Sequence, residues 1–544
     1  MLKPQDLGLP EKFPRWRSID RSRSQYDIIV DVASSDKRFS ILNAPTGVGK
    51  SAITMGLSSL LGGRTLFLTS SRQLQDQLTG DFAPMGLVDI KGQSNYPCLY
   101  FDDGIRTRLP GCDEGPCHAN ISCALKKGGC HYYDAVRRAH DHKLVTANYA
   151  YWMTLRKYSD PYNIGFFDTL VLDEAHEAAS TLTDFVKVHV DRRLCERLLD
   201  LPALHNASIE EWVEWAVVAL KICTRKLERA CDQVSLYPMA IDSVRHLKAL
   251  KGQLFDLVAA NSWRRLDAPN LPAWTPGTRT DWIAEEGPKH IVFQPVWASG
   301  YAEQYLFGGI KRVVLVSATV TDKDARYLGL IPGSFDYFQY PSPFKREIRP
   351  VYHIPTTRVG RDMNIGQDRI WVRRIDRIIR KECIEKKRKG IIHARSYERA
   401  RKIFALSEHK DLLVIHDSKH TRDTVRQFKE STTPCVLLSP AVGTGHDFPM
   451  DECRFQIIAK VPFIDSRPAI IRARVKSDRF YLDHVTLQEL IQMCGRGVRS
   501  DRDFCVTYII DDNFGDWFWP RNRKHAPRWF RAGVRRINSL DEVA

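Results

Sequence analysis

The sequence predicts an α/β protein built from two parallel-sheet lobes, and three observations carry that expectation. Short apolar strands alternate with helical stretches from Phe39 to Leu172, as a parallel sheet with helical crossovers requires. The same alternation starts afresh near Gly390. Two strings rich in ligand chemistry, APTGVGKS at Ala44–Ser51 and VLDEAHE at Val171–Glu177, stand where strands of the first run should end.

In the first lobe, Phe39–Asn43 (FSILN) leads into the glycine string. Thr65–Thr69 (TLFLT) is the second strand, followed by SSRQLQDQL, a helix opened by a serine cap. Asp168–Leu172 (DTLVL) leads into the acidic string, and Lys311–Val316 (KRVVLV) runs into Ser317, Ala318 and Thr319. These strands share one sheet only if the chain between them is inserted. From Ala178 to about Gly308 the character does change. Ser208–Val234 opens with a capping box, Ser208 with Glu211. Trp212, Trp215, Ala216, Ala219, Leu220, Cys223 and Leu227 then keep the i, i+3, i+4 rhythm of an amphipathic helix, which assigns the tryptophans to a core. Ser243–Ala260 reads as a second helix and Asp267–Thr280, rich in Pro and Gly, as a loop. The strands of the second lobe are Gly390–His393, Leu412–Ile415, Cys435–Leu438, Phe455–Ala459 and Cys505–Ile510. Their length and β-branched content favour strand over buried helix. Trp517–Arg536 interleaves tryptophans with arginines. It fits either a nucleic-acid surface or a terminal helix whose long cations lie along apolar rings.

With 544 residues, 43% of them hydrophobic, the chain can bury several cores and is not a disordered polymer. Lys and Arg number 81 against 65 Asp and Glu, a net charge of +16. Such a surplus favours a polyanionic partner and disfavours a membrane. The N-terminal residues show no signal-peptide pattern, and no apolar run nears the ~20 residues that span a bilayer. A cytoplasmic, nucleoid-associated protein is expected. The 13 cysteines are then unlikely to form disulfides.

The first string has the Gly-x-Gly-Lys-Ser core of a phosphate-binding loop. Its backbone N–H groups, from Ala44, Pro45, Thr46, Gly47, Val48 and Gly49 onward, close around phosphate oxygens; Lys50 reaches the outer phosphates and Ser51 offers a hydroxyl to magnesium. The acidic string supplies Asp173 as a magnesium partner and Glu174 as the base that orients attacking water. Together they describe an ATP hydrolase. Five cysteines crowd one window: Cys98, Cys112, Cys117, Cys123 and Cys130. Thiolates so spaced can converge on a metal or an iron–sulfur cluster. Four ligands suffice, and Cys112 is set aside because GPCHANISC and GGCHYY form one compact loop. Spacing alone leaves zinc and iron–sulfur open, with zinc slightly ahead.

The order of further strings carries a family resemblance. Gln25 precedes the first strand, then come APTGVGKS, TSSRQLQDQ at Thr69–Gln77, and a cysteine segment from KGQSNYPC to GCHYYDA. VTANYAYW at Val145–Trp152, DEAH and VSAT at Val316–Thr319 follow; the second lobe has SPAVGTGHDFP at Ser439–Pro449, KVPF at Lys460–Phe463 and QMCGRGVRSDRD at Gln492–Asp503. The chain resembles the XPD/DinG-like group of superfamily-two DNA helicases over nearly its whole length. That resemblance implies two RecA-like lobes, an inserted iron–sulfur segment and an inserted helical arch. It divides the chain into a first lobe at 1–94, 135–180 and 309–345, an iron–sulfur segment at 95–134, an arch at 181–308 and a second lobe at 346–544. It implies a [4Fe–4S] cluster on Cys98, Cys117, Cys123 and Cys130, with Cys112 the alternate ligand, which reverses the lean to zinc. It implies ATP and Mg²⁺ as cofactors, Gln25 reading adenine, and Gly443, Thr444, Gly445 and Asp447 coupling cleft to strand. Gln492, Arg496 and Arg499 match its last motif. An arginine delivered across the cleft can stabilise charge on the transferring phosphoryl group, an effect of about 10³–10⁵ in rate. The implied activity is 5′ to 3′ movement along single-stranded DNA with unwinding of forked duplex during repair, replication or recombination. The alternative is an ATPase that remodels RNA or protein–DNA complexes without processive unwinding. His131 and His446 depart from the family's usual residues. One strand is expected across both lobes, gripped near Thr69, Ser70 and Thr444, with Tyr96, Tyr132, Tyr133, Tyr149 and Tyr151 as candidates for stacking.

Overall fold

A computed structural model of the chain describes residues 2–102, 104, 107–119, 122–158, 164–234, 241–261, 281–440, 448–498 and 503–543. Strand β1 (Phe39–Asn43) is buried along its whole length. Alternate side chains leave on opposite faces, so Leu42 packs with Ile28, Ile29 and Ile53 on one side. Ile41 joins Leu66, Leu68 and Leu315 on the other. Helices Gln25–Ala33 and Lys50–Leu61 cover the first of these faces. Both faces of a parallel sheet must be covered, which is why its strands read as unbroken apolar runs.

The first lobe continues through β2 (Thr65–Thr69), β3 (Leu87–Asp89), β4 (Leu144–Asn148) and β5 (Thr169–Asp173). The chain then leaves through β6 (Val188–Asp191), β7 (Trp282–Glu286) and β8 (His290–Pro295), and returns as β9 (Arg312–Ser317) and β10 (Phe335–Gln339). Spatial order is β10-β1-β9-β5-β2-β4-β3, all parallel. Since β9 lies between β1 and β5, the excursion after Asp173 ends in the middle of the sheet it left, as an insertion requires. The second lobe holds β11 (Val351–Thr357), β12 (Gly390–His393), β13 (Leu413–Ile415), β14 (Val436–Ser439), β15 (Phe455–Ile458), β16 (Val506–Asp511) and β17 (Val534–Arg536). Their order is β13-β14-β12-β15-β16-β11-β17, again parallel. These are two RecA-like lobes.

Several differences from the sequence expectation have physical reasons. β5, β9, β13, β14 and β16 start one residue later than their apolar runs. The strands that escaped notice sit at sheet edges or carry polar residues: β3 is three residues long, half-exposed β10 reads FDYFQ, and β11 contains Pro355 and a register break after His353. The insertion is not wholly helical. Helices Ile209–Val234 and Ile241–Ala260 pack with an antiparallel sheet β6-β8-β7. The capping box forms, with Ser208 N–H and Oγ both donating to Glu211 at 2.7 and 2.8 Å. Trp212 is fully buried, edge-on to Trp215 and Phe293, so the tryptophans are core as expected. The Asp267–Thr280 loop lies outside the described residues. The C-terminal stretch is not one helix: short turns at Phe514–Phe518, Trp519–Asn522 and Arg528–Arg531 precede β17. Trp519 stacks on Phe514 there, and only Trp517 among the three tryptophans is substantially exposed, lying on Phe463.

Candidate functional site

The phosphate loop forms because its glycines reach backbone angles closed to other residues. Gly49 has φ +82°, and a Cβ there would meet Gln25 Nε2 at 2.4 Å. Gln25 uses that space: its Nε2 donates to the Val48 carbonyl at 2.7 Å, while its Oε1 accepts from the Arg17 N–H at 2.9 Å. Gln25 is thus a buried strut beneath the loop. Lys50 follows as the first residue of its helix.

At the end of β5 the chain turns sharply, with Glu174 in the left-handed region at φ +48°. The turn is braced from below, where the Tyr149 hydroxyl donates to the Asp173 carbonyl at 2.9 Å. Lys50 Nζ stands 3.9 Å from Glu174 Oε1. Ser317 Oγ donates to Glu174 Oε2 at 3.0 Å and lies 2.8 Å from His176 Nδ1. From the second lobe, Gln492 Nε2 donates to Thr319 Oγ1 at 3.2 Å and to Glu174 Oε2 at 3.5 Å. Arg496 lies one turn further on, half-buried and facing Glu174 and Glu177. Two adjacent carboxylates divide the available stabilisation unequally. Burial and then Glu174 push Asp173 up, against the pull of Lys50. Burial also works against Glu174, but Lys50, His176, the Ser317 hydroxyl and Arg496 together hold it down as an anion.

The lobes are joined beside this network. Helix Tyr481–Cys494 places Gln488 and Gln492 four residues apart on one face. Gln488 Nε2 donates to the Thr319 carbonyl and to Asp324 Oδ2, at 3.0 and 2.9 Å. His484 Nε2 lies 3.0 Å from Asp324 Oδ1. Asp478 accepts from Lys323 and from the Tyr327 hydroxyl. The insertion's exit joins in: Trp297 stacks on Tyr327 at 4.5 Å and its Nε1 donates to Ser477 Oγ.

Lys50, Asp173, Glu174, Gln492 and Arg496 are therefore brought together. Arg499, Gly443, Thr444, Gly445, His446 and Asp447 lie outside the described residues. His176, Ser317 and Thr319, not singled out from sequence, stand inside strings that were quoted; Tyr149, Gln488 and Asp324 had no local signal. The tyrosine expectation needs correcting. Tyr132, Tyr149 and Tyr151 are 9%, 2% and 8% exposed, too buried to stack on bases, because the helix Tyr149–Tyr158 packs them into the first lobe. Tyr96 and Tyr133 are half-buried against Tyr132. The Thr69 hydroxyl is occupied as well, donating to the Ser71 carbonyl.

The cysteine segment folds back on itself through Cys98 N–H to Pro110 O and Cys112 N–H to Tyr96 O, at 2.8 and 2.9 Å. Cys130 precedes the helix His131–Asp141. Cys112, set aside from sequence, has its Sγ 4.0 Å from that of Cys130. Burial, then Cys130, Cys98 and Cys117, push its thiol up to about 12. Gly115 leaves room for the Cys98 sulfur, which a Cβ would approach to 2.8 Å. None of the 13 cysteines is in a disulfide. Crowded thiols resist ionising together unless they share a cation, so the donor chemistry fits a thiolate-held centre. Among the described residues no three such side chains already stand in metal-holding geometry.

Residues 379–533 match the family profile described as a helicase C-terminal domain, and residues 17–201 match that described as the type III restriction enzyme res subunit. No curated protein matches the chain. Among solved structures it is similar to an XPD helicase at 15% identity and TM-score 0.60. It is also similar to Xpd4 of S. tokodaii at 14% identity and TM-score 0.55. Each comparison covers 94% of this chain and 99% of the other. At such identities the likeness establishes the fold.

Proposed function

Because the chain belongs to the XPD/DinG-like group of superfamily-two helicases, we propose that it hydrolyses ATP between its lobes to move along single-stranded DNA and open forked duplex. The observation that carries this reading is the meeting of Lys50 and Arg496, from different lobes, at Glu174. In this reading Ala44–Gly49 cradle the phosphates, Lys50 holds the outer ones, and Ser51 and Asp173 hold Mg²⁺. Glu174 orients the attacking water, and its anionic state suits it to accept a proton from that water. Gln492 senses Glu174 and Thr319, and Arg496 meets the transferring phosphoryl group. Arg499, Gly445 and Asp447 complete the cleft, and Gln25 reads adenine from beside the loop. Closure around ATP and release after hydrolysis would then alternate the grip of the two lobes on the strand. The surplus of 16 positive charges supports a polyanionic partner.

Cys98, Cys117, Cys123 and Cys130, with Cys112 as alternate, would hold a [4Fe–4S] group. When bound, that group supplies iron–thiolate bonds that tie residues 95–134 together and a visible absorbance. The domain division follows the resemblance: first lobe at 1–94, 135–180 and 309–345, arch at 181–308, second lobe at 346–544. The 5′ to 3′ direction, the preference for DNA over RNA, the repair role and a cytoplasmic, nucleoid-associated setting belong to the same proposal. No helix among the described residues is long and apolar enough to cross a membrane.

The test is nucleic-acid-stimulated ATPase and strand displacement, on DNA and on RNA, for the full chain with Lys50→Ala and Cys123→Ser beside it. Lys50→Ala should abolish turnover. Cys123→Ser should keep some ATPase and lose unwinding. ATP turnover by the wild type without strand displacement on any duplex would replace the helicase with a remodelling ATPase.

A further inference from the structure

The connector between β10 and β11 carries a cation that the network around Glu174 does not use. Arg349 enters the second lobe two residues before β11, and its guanidinium lies 4.5 Å from the Trp529 ring centroid. Its Nη2 donates to the Phe344 carbonyl at a long 3.5 Å, and its Nε is buried with no hydrogen-bond partner. Among the described residues no carboxylate pairs with it. Other withdrawn arginines are treated differently. Arg454 pairs with Asp503 at 2.9 Å, Arg388 with Glu382 at 2.7 Å, and Arg474 donates to three oxygens. Burial alone acts on Arg349, lowering its pKa to about 10 with no anion to offset it.

The space it faces identifies the missing anion. Arg349 and Trp529 line a cavity of about 330 Å³ whose other walls include Thr46 of the phosphate loop, and Gly495 and Val498 on either side of Arg496. Thr46 and Gly495 bring the lobes into contact: a Cβ at 495 would stand 3.3 Å from Thr46 Cγ2. A guanidinium held flat on an aromatic ring keeps its edge free for oxygen acceptors. The group that enters from the Thr46 side of a phosphate loop is a polyphosphate.

We propose that Arg349 is a second-lobe contact to the phosphate chain of a nucleoside triphosphate, positioned by Trp529 and seated at the connector on which the lobes pivot. This rests on the ATPase reading. It adds a cation from the hinge to those from the loop and from the arginine motif, so that nucleotide charge is felt where the lobes are joined. Arg349 then answers to the number of phosphates and not to the base.

The test measures binding of ATP and of adenosine to the full chain, without nucleic acid, for wild type, Arg349→Gln and Arg349→Lys. Loss of one charge-assisted hydrogen bond predicts about 10- to 100-fold weaker ATP binding by Arg349→Gln. Adenosine affinity should be unchanged, and Arg349→Lys should recover part of the loss because a point charge remains. Unchanged ATP affinity in Arg349→Gln overturns the assignment. Equal weakening of ATP and adenosine also overturns it, by making Arg349 a structural pin on Trp529. A wild type that binds no ATP defeats the ATPase reading itself, which separates the two failures.

Discussion

Tyr149 offers a sharp prediction because its ring and its hydroxyl do different things. The ring is 2% exposed in the first-lobe core. The hydroxyl donates at 2.9 Å to the carbonyl of Asp173, immediately before Glu174 at φ +48°. Tyr149→Phe keeps the ring and removes one hydrogen bond whose net worth is about 0.5–1.5 kcal/mol. If all of that is lost from holding the acidic turn in its working geometry, turnover falls by a factor of roughly 2 to 13. The ATP concentration giving half-maximal rate should stay nearly constant, since Lys50 and the phosphate loop are untouched. Single-strand affinity should also stay constant, because the ring never reaches solvent. Tyr149→Ala is a different experiment: removing a buried aromatic ring costs about 3–5 kcal/mol of stability and confounds any assay of function. Steady-state ATPase with a denaturant melt on the same Tyr149→Phe preparation reads all three quantities. Unchanged turnover beside a clear loss of DNA affinity would refute this reasoning and restore Tyr149 as a stacking residue.

Three further outcomes follow from particular contacts. Asp324→Asn should weaken the contact with His484 and Gln488 that bridges the lobes, lowering nucleic-acid-stimulated turnover while leaving ATP affinity within about twofold, the scale of a weakened polar contact; stronger stimulation would contradict it. Burial works against Asp324, yet His484 and the Thr321 N–H hold its carboxyl below the ordinary range. A carboxyl held low in the folded state stabilises above its unfolded value near ~3.9, and that contribution fades as pH falls through the folded value. The bridge should therefore persist at neutral pH and fail only in acid, and a melt series in which Asp324→Asn matches wild type at pH 7 would be the wrong result. Gly49→Ala should abolish measurable ATP binding, since its Cβ would stand 2.4 Å from Gln25 Nε2 at a φ of +82°; retained binding would mean that Gln25 can move aside without cost. For the cysteines, iron content and absorbance of anaerobically purified Cys112→Ser against Cys130→Ser should separate spare from ligand. Loss of iron in both would make Cys112, only 4.0 Å from Cys130, one of the four.

The parts legible in sequence were those written locally. A phosphate loop needs its glycines, Lys50 and Ser51 in one short string, and a buried parallel strand needs a run such as FSILN. The helix pair of the insertion was equally visible, because Ser208 with Glu211 and the spacing of Trp212 and Trp215 are local patterns. What stayed hidden depends on pairing across distance. Gln488 meets Thr319 across 169 residues and His484 meets Asp324 across 160, and no nearby residue announces either partner. Edge strands such as β10 and β17 hide because one side faces water and their apolar pattern is broken. Aromatic residues beside the cysteines misled for the opposite reason: Tyr132, Tyr149 and Tyr151 resemble a surface set in sequence, yet their helices turn them into the core. Cys112 was set aside on loop compactness, whereas the chain crossing Pro97 to Gly111 brings it beside Cys130.

The central claim is that one nucleotide is worked on from both lobes at once. Its most direct test is Arg496→Ala, measured for ATP binding and for single-turnover hydrolysis in the presence of single-stranded DNA. The prediction is binding within a few-fold of wild type and hydrolysis slower by at least about 10³, the scale of a lost arginine finger. Hydrolysis at near wild-type rate would mean that the second lobe contributes nothing to the chemistry, and the two-walled site would have to be abandoned.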